Sequence, residues 1–140
     1  MNLFLDTSCL VSFFLVDSHS TKSRPVLEKI VKGEILGLVS ALSMVELCGT
    51  VRRIGSEEIA RETRDAIREM TENGRVKVVP LRNQDASAAA ELAISTALKG
   101  ADAVIVNAAK AAGCALFTFD EEIKARARRV VELYESQTAH

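Results

Sequence analysis

The sequence predicts an α/β fold: a central parallel sheet of four to five strands, covered by helices on both faces. Three observations carry this. The apolar runs Leu3-Phe4-Leu5, Ile35–Ser40 and Cys114–Phe119 are continuous rather than alternating, as in strands buried on both sides. Segments of helical period separate them, so strand and helix alternate along the chain. The 140 residues are 48% hydrophobic and show no internal repeat or long linker, which suits one domain over residues 1–140 around one core.

Taken in order, Asn2–Asp6 reads as the first strand and Thr7 to about Val16 as the helix that follows. Asp17–Thr21 is a polar loop. Arg24–Lys32 reads as a helix with Pro25 in its first turn and Gly33 at its stop. Ile35–Ser40 is the second strand. Leu42–Ile54 reads as a helix ended by Gly55. Ser56–Asn73 is a long amphipathic helix with Ile59, Ala66, Ile67 and Met70 on its apolar side, stopped at Asn73-Gly74. Val76–Leu81 is the third strand, and Pro80 places it at an edge or at its own end. Gln84–Leu98 is an alanine-rich helix that Gly100 breaks. Ala101–Ala112 is another, ended by Gly113. Cys114–Phe119 is the fourth strand and closes on Asp120. Glu121–Arg128 reads as a short helix, Arg129–Tyr134 as a fifth strand, and the last six residues as a frayed end.

The formal net charge is −1, so no global basic field marks a nucleic-acid partner, and such contact must rest on a local basic patch or a bound cation. The three cysteines, Cys9, Cys48 and Cys114, are far apart and lie in apolar surroundings. They read as small buried hydrophobes in a reducing compartment, not as a disulfide framework or a zinc site. His19 and His140 are isolated, which argues against a histidine metal site or general base. No apolar run approaches the ~20 residues of a membrane span. No basic stretch precedes the first strand as in a signal peptide, so the expected location is cytoplasmic.

In a parallel sheet, ligands bind outside the C-terminal strand ends. Asp6 ends the first strand and Asp120 the fourth. Asp102 opens the helix before the fourth strand, and Glu46 lies about one turn into the helix after the second. Each could instead be structural: Asp6 and Asp120 as helix N-caps, Asp102 as a partner of its helix dipole, and Ser43-x-x-Glu46 as a capping box. Gathered without a basic partner, however, four acids repel one another unless a divalent cation or a proton intervenes. Oxygen ligands with no His or Cys select Mg²⁺ or Mn²⁺. Such ions polarise a phosphodiester, orient and acidify an attacking water, and stabilise the leaving oxygen.

The ordered set LFLDTS, SMVEL, GADAVIVNAA and LFTFD resembles the PIN-domain family, and within it the VapC-type toxins of prokaryotic toxin–antitoxin pairs. The resemblance covers nearly the whole chain. It implies a three-layer α/β/α domain and a Mg²⁺- or Mn²⁺-dependent ribonuclease whose metal ligands fall on Asp6, Glu46, Asp102 and Asp120. Thr118 matches a hydroxyl position near the site. Thr7 or Ser8 would hydrogen-bond a metal-bound water or a phosphate, or else cap the backbone locally. Asn107 departs from the family pattern. It lies five residues after Asp102, about 500° round the helix, and reads as a supporting group behind the site.

The resemblance further implies an RNA substrate, a small antitoxin that blocks the site with a basic side chain, and a homodimer. Candidate phosphate contacts are Arg52 and Arg53, then Arg61, Arg64 and Arg68, then Lys124, Arg126, Arg128 and Arg129. The middle group is interleaved with acids and reads as a solvated helix face, whereas the last is less diluted. Phe13-Phe14-Leu15 and the helix 56–73 are candidate apolar interfaces, unless they pack on the domain's own core. A receiver domain or haloacid-dehalogenase-like phosphatase fits less well, because Asp6-Thr7-Ser8 lacks a second aspartate and no lysine follows a later strand end. The same motifs would also suit an RNA-processing PIN nuclease without an antitoxin, or a non-catalytic PIN-like module that binds RNA or protein.

Overall fold

Four parallel strands form the sheet of the computed structural model, which describes residues 1–135. They are β1 (Asn2–Leu5), β2 (Leu36–Ser40), β3 (Val76–Val79) and β4 (Ala115–Phe117), ordered β3-β2-β1-β4. The helices are α1 (Thr7–Phe14), α2 (Ser20–Val31), α3 (Ala41–Ile54), α4 (Glu57–Glu72), α5 (Asn83–Thr96), α6 (Gly100–Ala112) and α7 (Glu121–Ala127).

The pleat of β1 explains its unbroken apolar run. Leu3 and Leu5 point into one core with Leu10, Ile30, Leu47, Val51 and Ile67, from α1 to α4. Phe4, between them, points into a second core with Leu38, Ile105, Val106, Leu116 and Ile123, built on α6 and α7. Leu3, Phe4 and Leu5 are all fully buried. The result is the expected three-layer α/β/α arrangement, with β1 at its centre and Pro80 just past the edge strand β3. The chain steps from β1 through β2 to β3, then crosses back to place β4 on the other side of β1. The strand order therefore reverses between β1 and β4, where α/β sheets open a crevice for ligands.

Several element boundaries differ from the sequence reading: α1 stops at Phe14, β3 at Val79 and β4 at Phe117, each short of its expected end, and three further differences have a local reason. Helix α2 begins at Ser20, not Arg24, so Pro25 lies past its first turn. The start is set earlier because Asp17 N–H donates to Ser20 Oγ at 3.0 Å and His19 N–H donates to Asp17 Oδ1 at 2.8 Å. The hydrogen bond that Pro25 forgoes leaves only the carbonyl of exposed Thr21 free to water. Helix α5 ends at Thr96, and Ala97 turns the chain with a left-handed φ of 61° before Gly100 opens α6. The expected fifth strand reduces to one parallel bridge, Leu116 to Leu133. Most of the frayed end, residues 136–140, lies outside the described residues.

An L-residue in the left-handed region costs about 1–2 kcal/mol, of which glycine's extra unfolded-state entropy returns part. Ala97→Gly is therefore expected to stabilise the protein by roughly 0.5–1 kcal/mol. A thermal melt beside the wild type checks this, and a lower melting temperature in the variant contradicts it.

Cys9 and Cys114 are buried and Cys48 is half-buried, all three as free thiols. Among the described residues, no helix is long and apolar enough to cross a membrane.

Candidate active site

Asp6 stands at the strand-order reversal. Its N–H extends the ladder to Phe117 O at 2.9 Å, and its carbonyl accepts from Cys9 and Leu10 N–H, so its backbone starts α1. Its side chain does not. The expectation that Asp6 caps α1 with its carboxylate is corrected, because Oδ2 instead accepts from Ser8 Oγ at 2.8 Å and Thr118 Oγ1 at 2.7 Å. Each hydroxyl has one proton to give, and both give it to Asp6. Each also accepts a backbone N–H from the segment after β4: Phe119 N–H to Ser8 Oγ at 3.1 Å, and Asp120 N–H to Thr118 Oγ1 at 3.0 Å. Two hydroxyls thus lace the end of β1 to the end of β4 around one carboxylate, which is only 4% exposed.

Asp120 does cap its helix, with Oδ1 accepting from Ile123 N–H at 2.9 Å. Asp102 lies half-buried in the first turn of α6. Burial raises the Asp6 carboxyl above its ordinary value. The Thr118 and Ser8 hydroxyls pull it back, and the Asp120 charge adds to the rise. Burial first, and then the charges of Asp120 and Asp6, push Asp102 up to about 6, against the pull of Lys99. The three aspartates therefore share one electrostatic field. Among the described residues, none of them is in an ion pair.

Glu46 reaches this group through Thr7. Thr7 Oγ1 lies 2.9 Å from Glu46 Oε1 and 3.0 Å from Ser43 Oγ. With a single proton it donates to the carboxylate and accepts from Ser43. The Ser43-x-x-Glu46 capping box is therefore corrected. Ser40 caps α3 by accepting from Leu42 N–H at 3.2 Å, and Ser43 is buried inside the first turn.

The structure brings Asp6, Asp102, Asp120, Ser8 and Thr118 together, with Glu46 beside them. Among the described residues, no three acidic, histidine or cysteine side chains converge closely enough to hold a metal ion as they stand. The donor set still fits a hard cation in kind. It is all oxygen, lacks a paired base, and its proton affinity is raised by burial first and by mutual repulsion second.

Asn107 is not part of this group; it lines a separate cleft against β2 and β3. The basic candidates are mostly neutralised within their own helices. Arg61 pairs with Glu57 at 2.8 Å, and Arg64 pairs with Asp65 at 3.1 Å. Lys124 also pairs with Glu121, and Arg126 with Glu122, so the set beside Asp120 is more diluted than expected. Phe13, Phe14 and Leu15 are partly buried against the domain's own core, as are Ala60 and Met70 of α4. One group escaped sequence reasoning. His19 is not isolated but stacks on Phe119, ring centroids 4.3 Å apart and planes 6° from parallel.

The comparisons with known proteins bear on the fold. The chain is similar to VapC20 of Mycobacterium tuberculosis, a toxin that cleaves the sarcin–ricin loop. The TM-score is 0.73 at 17% identity, over 88% of this chain and 93% of that one. It is similar to VapBC2 of Rickettsia felis, solved on a promoter DNA fragment, with a TM-score of 0.71 at 18% identity over 96% and 98% of the two chains. It is also similar to VapBC-1 of nontypeable Haemophilus influenzae, with a TM-score of 0.67 at 17% identity over 96% and 98%. No curated protein matches the chain. Identities this low speak to the fold alone. The family model for the PIN domain, however, matches residues 3–129, and the chain belongs to the PIN domain family.

Proposed function

We propose that the chain is a Mg²⁺- or Mn²⁺-dependent endoribonuclease acting as a single domain over residues 1–140, and the toxin of a type II toxin–antitoxin pair. The observation that carries this is the buried Asp6 carboxylate, laced by Ser8 and Thr118 at the strand-order reversal and sharing its field with Asp102 and Asp120. A hydrolase that cleaves RNA has to neutralise phosphate charge, and an acidic site does so only with a cation. Asp6, Asp102 and Asp120 would hold that cation, with Glu46 beside them. A bound divalent ion supplies positive charge to the phosphoryl group and lowers the pKa of the attacking water.

The protein's own residues do the rest. Ser8 and Thr118 fix the Asp6 rotamer and occupy Oδ2 with two hydrogen bonds. Thr7 holds Glu46 in place from the α1 side. Asp120 divides its carboxylate between capping α7 and facing Asp102. The partners of this reading are an RNA substrate, a cognate antitoxin that presents a basic side chain to the aspartates, and a second copy in a homodimer, all in the cytoplasm. The solved relatives support the antitoxin, since two of those above are VapBC complexes.

The test is incubation of the purified chain with labelled single-stranded RNA in Mg²⁺, in Mn²⁺ and in EDTA. Cleavage that needs the metal is expected. A folded protein that binds RNA but cuts none of several RNAs would establish a non-catalytic module instead. Cutting by a chain whose neighbouring genes encode no small partner would favour an RNA-processing nuclease.

Thr118→Val keeps the shape of Thr118 but removes its proton from Asp6. Loss of one such supporting hydrogen bond is expected to lower kcat/KM by about 10–100-fold. The same kinetics run at increasing Mg²⁺ check its origin, because a positioning defect raises the metal requirement.

A further inference from the structure

On the opposite side of α6 from Asp102 lies a cleft of about 360 Å³ that none of the roles above uses. Its volume is within the range of small-molecule sites. Leu38 and Lys77 are register partners on β2 and β3, as are Ser40 and Val79, so the sheet face here is half apolar and half polar. Helix α6 supplies Asn107 and Ala108 opposite them, and the start of α5 supplies Arg82 and Asp85. The small side chain of Ala108 leaves a gap in which a flat group can lie against Leu38 and Val79.

Three polar groups in this cleft are unspent. Among the described residues, the Asn107 amide makes no hydrogen bond, and neither Lys77 nor Arg82 is in an ion pair. Asp85 is partly engaged, with Oδ2 accepting from Arg82 N–H at 2.9 Å. An amide that both donates and accepts suits the edge of a heterocycle. Two cations at the mouth suit a phosphate, and a carboxylate between them suits a ribose hydroxyl. A purely apolar peptide would leave all four unmatched.

We propose that this cleft is a mononucleotide subsite, taking the base between Leu38, Val79 and Ala108, its edge on Asn107, and its phosphate on Lys77 and Arg82. Its meaning as a substrate subsite rests on the ribonuclease reading. Asn107 lies five residues beyond Asp102, about 7.5 Å along the helix axis and on its other side, so a nucleotide held here is separated from the acidic site by the width of α6.

The test is an NMR titration of the full chain, in EDTA, with adenosine, guanosine, cytidine and uridine monophosphates and with the parent nucleosides. Saturable shifts of the Asn107 side-chain amide and the Arg82 N–H are expected for at least one nucleotide. Asn107→Leu, one hydrogen-bonding edge poorer, is expected to weaken it about tenfold. The double variant Lys77→Glu, Arg82→Glu, on exposed positions, with its fold checked by the unchanged spectrum elsewhere, is expected to remove the preference for nucleotide over nucleoside. The proposal is overturned if Asn107 and Arg82 stay unmoved by all four nucleotides, or if the variants bind as the wild type does. Because the titration needs neither metal nor cleavage, it separates the subsite from the nuclease reading. A chain that binds nucleotides here but never cuts RNA keeps the first and loses the second.

Discussion

Asp6→Asn is expected to lower metal-dependent RNA cleavage at least about 100-fold while raising the melting temperature of the metal-free protein. The two effects go in opposite directions for one reason. Asp6 is 4% exposed, and burial raises its carboxyl, so the ionised group weakens the fold at neutral pH. Asparagine has the same shape. Its carbonyl oxygen still accepts from Ser8 and Thr118, and its amide nitrogen takes the place of the oxygen that neither hydroxyl occupies. The interlacing of β1 and β4 survives, the buried charge is gone, and so is the anion a cation needs. The measurement is a pair: a thermal melt in EDTA and kcat/KM on labelled RNA with Mg²⁺. A variant that loses both activity and stability would show that Asp6 holds the fold together through its charge, and the metal reading would fail.

Much of this site was legible from Asp6, Glu46, Asp102 and Asp120 because strand–helix alternation fixes which ends of the segments meet. The run Leu3-Phe4-Leu5 that stops on Asp6 reads as a buried strand, and its end falls beside the end of β4. The direction of the side chains was not legible. An aspartate between a strand and a helix looks the same in sequence whether it caps the helix or turns away. What turns Asp6 away is Thr118, 112 residues later. Ser40 and Ser43 both suit a cap, and the choice depends on where the ladder of β2 ends. His19 meets Phe119 across 100 positions, with no local signal. The break at Ala97 has no local cause either. Leu98 is 5% exposed, packed in the α6 core, and reaching it forces the turn on an alanine. Local chemistry set the elements, whereas packing set the caps and the direction of the carboxylates.

Without divalent metal, the protein is expected to melt several degrees higher near about pH 5 than near about pH 7.5, the reverse of ordinary acid destabilisation. The sign follows from Asp102 and Asp6, whose carboxyls are both raised on folding. The Asp102 carboxyl titrates at 3.8 in the unfolded chain and at about 6 in the fold. Between those values the folded state binds a proton that the unfolded state does not. The stabilisation is therefore complete below 3.8 and is lost as the pH rises through about 6. Asp102 is only half-buried, so solvent screens part of its share. Melts across this range in EDTA, beside Asp102→Asn, make the measurement. The variant's profile is expected to be flatter, because it removes one titrating group and one charge facing Asp6 and Asp120. A flat wild-type profile would mean that neither burial nor mutual repulsion raises these carboxyls in the fold. Saturating Mg²⁺ is then expected to stabilise the neutral protein most and the acidic protein least. A proton and a cation compete for the same oxygens, and only the ionised aspartates leave the site open to the cation.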